Sequence, residues 1–458
     1  MTQSKRMRSF LAGLLAPLLV ATAFAREPAL KPTPEQEESF QVAGEHPRLF
    51  LTSRRLRLLR RERERQSLRW QQFERLMAGG ASMPEPGFAL ALYFQVAGQE
   101  DAGRRAVQWV LANPADLRQA ALVFDWCQPV MTPEQAATLL GRLEEVLSRP
   151  ARPGIWEARD RTLAAIALAD RAPRASEREL ERVVRRWWRG EVVPALERGR
   201  DVVSRAETYA LLELLHAVAD NLLIDLRESS RVYFRQLPVV ELLSYYPAAF
   251  PAAENDYHIP ASKSGRPDLQ LAVLARAADL ALVAYDTNAR ENQFLQGWLM
   301  HDRFLMRGAL GAPYEFLWAN PYLPGLSYYN ASLFIHDSLL GRLFVRSSWD
   351  DDAVWLGYFS GELQTFGGGQ PKVVKSRDTA IWVGTAAVFA ASSPTFLQVS
   401  QPAQAVLIVG LKPSAAYQVE IDDRELREEL TDPGGILEFR FPESFRGGIA
   451  LREAAPAP

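Results

Sequence analysis

The 458 residues are 48% hydrophobic and 24% charged, which supports a sizeable buried core and excludes an intrinsically disordered chain. Lysine and arginine number 53 against 55 aspartates and glutamates, so the chain lacks the basic excess that neutralising nucleic-acid phosphates requires. Cys127 is the single cysteine, which excludes an intramolecular disulfide and a thiolate-built zinc cluster and leaves stability to the core.

In chain order, Lys5, Arg6 and Arg8 precede an apolar run from Phe10 to about Phe24 that ends in Ala23-Phe24-Ala25. This reads as a secretory signal peptide, residues 1–25, cleaved after Ala25. The run is too short to span a bilayer and no later stretch reaches that length, so a periplasmic or secreted bacterial protein without a membrane span is expected. Export without disulfides fits that address. A Pro/Glu-rich lead follows, read with the residues after it as a linker over 26–45.

The segment His46-Pro47-Arg48-Leu49-Phe50-Leu51-Thr52 leads into a helix capped by Thr52 or Ser53, with Leu56, Leu59, Trp70, Phe73 and Met77 on one face. Its basic run from Arg54 to Arg65, interrupted by Glu62 and Glu64, reads as a solvated face. Helical periodicity continues through 87–96, 103–111, 116–126, 133–147, 157–169, 176–196, 207–226, 230–243, 267–285 and 290–306. Short Pro-, Gly- or Asn-bearing loops join these segments, which favours antiparallel helical hairpins over βαβ units in a domain spanning 46–340. No fixed-length repeat stands out, so a solenoid is disfavoured.

The character changes at Gly341. Leu343, Val345, Ser347 and Trp349 alternate with Phe344, Arg346 and Ser348, Asp350 to Asp352 make a turn, and Val354 to Phe359 run apolar, as in a β-hairpin entering a sheet. Strands are expected at 380–384, 387–391, 396–400, 405–410, 417–421, 436–441 and 448–452. The clearest turn is Asp432-Pro433-Gly434-Gly435. A sheet domain beginning over 341–404 and a sandwich or immunoglobulin-like finish over 405–458 complete the reading, as an α+β chain.

Four pieces together carry a resemblance: the leader, H-P-R-L-F-L-T, A-L-V-F-D-W (Ala121 to Trp126), and V-R-S-S-W-D-D-D-A-V-W-L (Val345 to Leu356). Over about Phe50 to Gly361 the chain resembles the heparinase II/III-like polysaccharide lyases. The most specific piece is R-S-x-W-x-x-D-A at Arg346 to Ala353. The resemblance implies an N-terminal α/α toroid, an incomplete ring of helical hairpins, followed by a C-terminal antiparallel β-sandwich. It also implies β-elimination on uronic-acid glycans, with an acidic polysaccharide as partner; no cofactor or metal is expected.

That chemistry asks for an amide or guanidinium at the substrate carboxylate and a His or Tyr pair for proton traffic. The expected catalytic residues are Asn255, Tyr257 and His258, in one loop, and Arg303 after them. Trp318, Tyr322, Tyr328, Tyr329 and Asn330 form the expected sugar-stacking platform, since a ring face is apolar and its edge polar; a wedge between the two domains is the other reading of these aromatics. Tyr209 and His216, seven apart on one helix, read as core residues, and the three aspartates lack calcium-loop spacing. No G-x-S-x-G elbow, H-E-x-x-H pair or phosphate loop occurs.

No histidine follows His336, whereas lyases of the family carry one in a strand that reaches back to the cleft. Two readings therefore stand: a lyase, or a non-catalytic glycan-binding or cell-envelope protein. A glycosidase would need two carboxylates facing each other across a cleft, with Glu207, Glu254, Asp256 and Asp302 as the acids at hand.

Overall fold

The computed structural model describes residues 38–42, 44–151, 154–251, 256–302, 308–375, 377–422 and 425–454. The expected leader and most of the linker lie outside them. Helices α1 (Ser53–Glu64), α2 (Leu68–Ala78), α3 (Pro86–Ala97), α4 (Glu100–Ala112), α5 (Leu117–Trp126), α6 (Pro133–Ser148) and α7 (Ile155–Ala167) come first. Then follow α8 (Pro173–Glu181), α9 (Val193–Glu197), α10 (Thr208–Leu222), α11 (Arg231–Leu243), α12 (Leu269–Tyr285), α13 (Arg290–His301) and α14 (Ala312–Trp318). Among the described residues no helix is long and apolar enough to cross a membrane.

Side-chain caps start several helices where the sequence places them. The hydroxyl of Thr52 accepts from Arg55 N, Asp116 from Gln119 N and Asp268 from Leu271 N, and Thr132 with Gln135 makes a full capping box. The one long helix expected from Thr52 past Met77 is instead two. Gln66 takes a positive φ of 50° and Ser67 caps α2 through Trp70 N, so a break sits where the basic run ends. The segment expected as a plain helix over 176–196 carries wide π-type turns from Arg182 to Val192, and these bury both Trp187 and Trp188.

Helices α3, α5, α7, α10, α12 and α14 each pack on the next in that series, and α14 packs back on α2 and α3. Of these, α3, α10 and α12 are apolar nearly all round, as suits helices covered on every side, while α5 and α7 also bury charged side chains. Near their N-terminal ends a buried polar cluster replaces hydrocarbon. Arg118 grips Glu213 in a fork at 2.6–3.0 Å and reaches Glu85 at 2.8 Å, while Arg159 adds a 2.7 Å bond to Glu213.

The chain reaches this ring through a clasp built from two of the quoted motifs. Buried Asp125 accepts from the backbone N–H of Arg48 and of Leu49, both at 2.8 Å, and meets His46 Nδ1 at 2.5 Å, while the Trp126 indole donates to Leu49 O at 2.9 Å. H-P-R-L-F and A-L-V-F-D-W are thus two halves of one structural contact.

Two short strands, β1 (Phe250–Pro251) and β2 (Asp256–Tyr257), pair with each other within the helical part. The remaining strands form two sheets. The first is an antiparallel meander of β3 (Phe334–Asp337), β4 (Arg342–Arg346), β5 (Trp355–Phe359), β6 (Glu362–Gly367) and β7 (Gln370–Val374). The expected hairpin is its β4–β5 pair, with Leu343 opposite Tyr358 and Arg346 opposite Trp355. The second sheet contains β8 (Arg377–Val383), β9 (Ala386–Ala390), β10 (Thr395–Val409), β11 (Ala416–Ile421), β12 (Glu425–Leu430) and β13 (Leu437–Glu453), in the order β12-β11-β13-β10-β9-β8. It departs from the expected all-antiparallel pairing, because β9 and β10 run parallel. Strand β10 also passes unbroken through position 404, where a boundary is expected, its register shifting between Val399 and Ala405.

Leu343, Val345 and Leu356 of the first sheet share an apolar cluster with Val388, Leu407 and Val409 of the second. His336 on β3 ties the two further, to Asp432 at 2.8 Å and Glu438 at 2.7 Å. The expected turn at 432–435 is present, with Asp432 Oδ1 accepting from Gly434 N and Ile436 N, and it lies against Gly341. Helices and strands belong to one compact unit from Ser39 onward. The Trp355 indole donates to Leu243 O at the end of α11, and Tyr246 and Ser262 both bond Gln364 of β6.

Candidate functional site

A cavity of about 330 Å³ lies along this seam. The residues just after α11 form one wall, the last turn of α13 and the 3-10 turn Tyr328–Asn330 another, and the end of β4 with the Asp350–Asp352 turn a third.

His258 faces it from the loop after β2. Its Nδ1 lies 2.7 Å from Asp302 Oδ1 and its Nε2 3.2 Å from Pro247 O, and both are acceptors. Both bonds form at once only when both ring nitrogens carry hydrogen. Burial alone would push the Asp302 carboxyl up, but the Arg276 guanidinium and His258 together hold it below the usual carboxylate range. Arg276, ion-paired to Asp302, lies 5.2 Å from the centre of the Trp298 ring, whose edge also meets the imidazole.

Arg346 supplies the cation across the cavity. It is 5% exposed, donates from Nε to Ser348 O at 2.6 Å and lies 4.4 Å over the Trp349 ring. Burial lowers its pKa to about 10, against the opposing pull of Tyr328, Asp351 and Asp350. Tyr328 is pushed above its ordinary value by burial and then by its hydrogen bond with Tyr329. Tyr329 itself is 56% exposed, the phenol most open to a ligand, and His301 packs 5.3 Å from the Tyr328 ring. A guanidinium, two imidazoles and two phenols thus converge, with carboxylates at the rim.

The expected site residues divide. His258, Tyr328 and Tyr329 meet in this cavity. Tyr257 is buried in β2 opposite Phe250 and does not line it, and Asn330 is exposed at the end of the 3-10 turn. Asn255 and Arg303 lie outside the described residues. Trp318 and Tyr322 line a separate groove of about 620 Å³ beside α1. Trp318 is 2% exposed, its indole donating to Tyr209 OH at 2.9 Å and its face covered by Arg55 at 4.6 Å, so a sugar has no ring face there to stack on. His216 is a core residue, bonded to Ala281 O, and burial pushes its pKa well down.

Sequence reasoning did not nominate Arg346, Tyr246 or Trp298 for this site, although Arg346 opens the R-S-x-W piece that carried the resemblance. The motif itself was the available signal. Among the described residues no group of three or more His, Cys, Asp or Glu side chains is placed to hold a metal ion.

No family model matches the chain, and no curated protein does. Among solved structures it is similar to a heparan sulfate lyase HepC mutant from Pedobacter heparinus, at 12% identity and a TM-score of 0.35, over 81% of this chain and 76% of that one. This is a distant structural likeness, and no residue role is transferred through it.

Proposed function

We propose that this is an exported protein of heparinase II/III-like architecture, an incomplete α/α toroid followed by a β-sandwich, that cleaves a uronic-acid polysaccharide by β-elimination in the seam cavity. What carries the reading is the convergence of Arg346, His258, His301, Tyr328 and Tyr329 on one cavity between helices and strands. The series α3 to α14, each helix packed on the next, supports the toroid, and the apolar cluster shared by the two sheets supports the sandwich.

In this scheme Arg346 receives the substrate carboxylate and acidifies the adjacent C–H. The exposed Tyr329, or His301 beside it, removes that proton. The electron pair forms the C=C bond as the C–O bond to the leaving sugar breaks, and the Nε2–H of His258, turned from its 3.2 Å contact with Pro247 O, protonates the departing oxygen. Tyr257 holds the β1–β2 pair that positions His258. Asn255 and Arg303 are assigned to the substrate carboxylate, and Asn330, at the end of the 3-10 turn, to an outlying polar contact.

The second reading, non-catalytic glycan binding, is favoured by one observation: both His258 nitrogens are engaged by acceptors, so no ring lone pair is aimed at a substrate. The test is the ultraviolet absorbance of unsaturated uronate, with heparan sulfate, alginate, polygalacturonate and hyaluronan as substrates. The lyase reading expects a rising signal on one of them that disappears in Tyr329→Phe and Arg346→Lys. A flat trace on all four, with retained binding to one, would leave the binding protein.

A further inference from the structure

The groove beside α1 shares no lining residue with the seam cavity. Arg54, Arg57, Arg61 and Arg65 follow each other at spacings of three, four and four and so lie along one helix face. At 1.5 Å per residue the stripe is about 16 Å long. Each of these arginines is exposed, and no carboxylate among the described residues pairs with any of them. Exposed arginines elsewhere do find acids on their own helices, as Arg104 does with Glu100 and Arg185 with Glu181. Like charges three and four apart weaken a helix, a cost that the helix dipole offsets only at the C-terminal end, beside Arg61 and Arg65.

The facing wall is built to receive a ring. Tyr322 is 60% exposed, yet its hydroxyl donates to Glu62 at 3.1 Å and its backbone N–H to Asn320 Oδ1 at 3.1 Å, which holds the phenol beside the stripe. On the floor Arg55 sits over Trp318, and its nearest carboxylate, Asp220, is 3.9 Å away. Five guanidinium groups therefore face a groove that contains one carboxylate.

We infer that this groove is a second binding site, distinct from the seam cavity, for a linear sulfated or carboxylated polysaccharide. Guanidinium forks match sulfate and carboxylate oxygens, and the Tyr322 face offers an apolar surface to a sugar ring. A nucleic acid fits less well. Among its described residues only the Tyr322 face is open, because Arg55 covers Trp318 and Arg227 lies 4.4 Å over Tyr285, whereas single strands stack successive bases on several, and the whole chain has a net charge of −2. The choice of a glycan rests on the glycan reading of the protein; the anion site itself rests on the arginines.

The test is equilibrium binding of the full chain to heparin, polygalacturonate, neutral dextran and a single-stranded oligonucleotide over a range of salt. Heparin and polygalacturonate are expected to bind and dextran not to. In Arg57→Ala/Arg61→Ala the heparin Kd should rise about ten-fold and the salt slope become shallower by about two. Arg104→Ala/Arg149→Ala, which removes equal charge elsewhere, should leave the Kd in place. An unchanged Kd in the groove variant, or an equal rise in Arg104→Ala/Arg149→Ala, overturns the inference, as does tighter binding of the oligonucleotide. Groove binding without any elimination product would sink the lyase reading and leave this site standing.

Discussion

Replacing His336 tests how the two sheets are joined. Its imidazole lies between Asp432 and Glu438, side chains from the second sheet and the turn before it, while His336 itself belongs to the first. Burial alone would lower its pKa, but the hydrogen bonds and charges of the two carboxylates raise it to about 9. A folded value above the ordinary 6.5 means that the fold prefers the protonated ring. The clamp is therefore at full strength below about pH 6.5 and is lost as pH rises through about 9. At about 1.4 kcal/mol for each pH unit between those values, it stabilises the fold by about 3 kcal/mol. His336→Gln leaves Asp432 without its cation and Glu438 with only the exposed Arg440. The variant should be less stable than the parent by about 3 kcal/mol near pH 6 and by under about 1 kcal/mol near pH 9.5, in urea unfolding followed by near-ultraviolet circular dichroism. The chain has only five histidines, so ring-labelled NMR gives the midpoint directly, with the variant supplying the assignment. A midpoint near 6.5, or a stability gap that does not change with pH, would refute the reasoning.

Other outcomes follow from contacts described above. Asp125→Ala removes the acceptor of two backbone N–H groups and of His46, and should destabilise the chain by about 3–5 kcal/mol in the same unfolding assay. Gly341→Ala should cost more than about 2 kcal/mol, because φ is +65° and the new Cβ would lie 2.0 Å from Gly434 N, so backbone has to move. Cys127 is fully buried and burial pushes its thiol far above the ordinary value, so a maleimide should label it only on unfolding, with native labelling over hours as the contrary result. Lowering the pH below the ordinary carboxylate range should protonate Asp302, whose folded value is depressed, and so release His258; loss of ligand binding at low pH with the tryptophan spectrum intact would report it.

What was legible in the sequence was local. Thr52 reads as a cap, and the helix starts expected at 116, 133 and 267 lie at or one residue from the caps Asp116, Thr132 and Asp268, because a cap and its N–H partner lie within three residues; the β4–β5 hairpin showed because its alternation flanks its own turn. What stayed hidden joins residues far apart in the chain. The basic run looked merely solvated because the other wall of its groove, Tyr322, lies 260 positions from Glu62, and the partner of His258, Asp302, is 44 positions on. Trp318 was read as a stacking ring since nothing local shows that Arg55 covers it. The parallel β9–β10 pair was equally out of reach, because strand direction within a sheet is set by the connection and not by the side chains of either strand.

The Trp355 indole has a consequence for how a ligand arrives. It pairs across β4–β5 with Arg346, and it donates to Leu243, two residues before Tyr245 and three before Tyr246 on the opposite wall. The same fully buried ring packs edge-on against Tyr246, so one side chain rivets both jaws within a few residues of the cavity. Spreading those jaws would strip an indole hydrogen bond and a buried aromatic contact together. The cavity is therefore a fixed seat that selects by fit, and a ligand should enter it in one concentration-dependent kinetic phase with no slower closing step behind it.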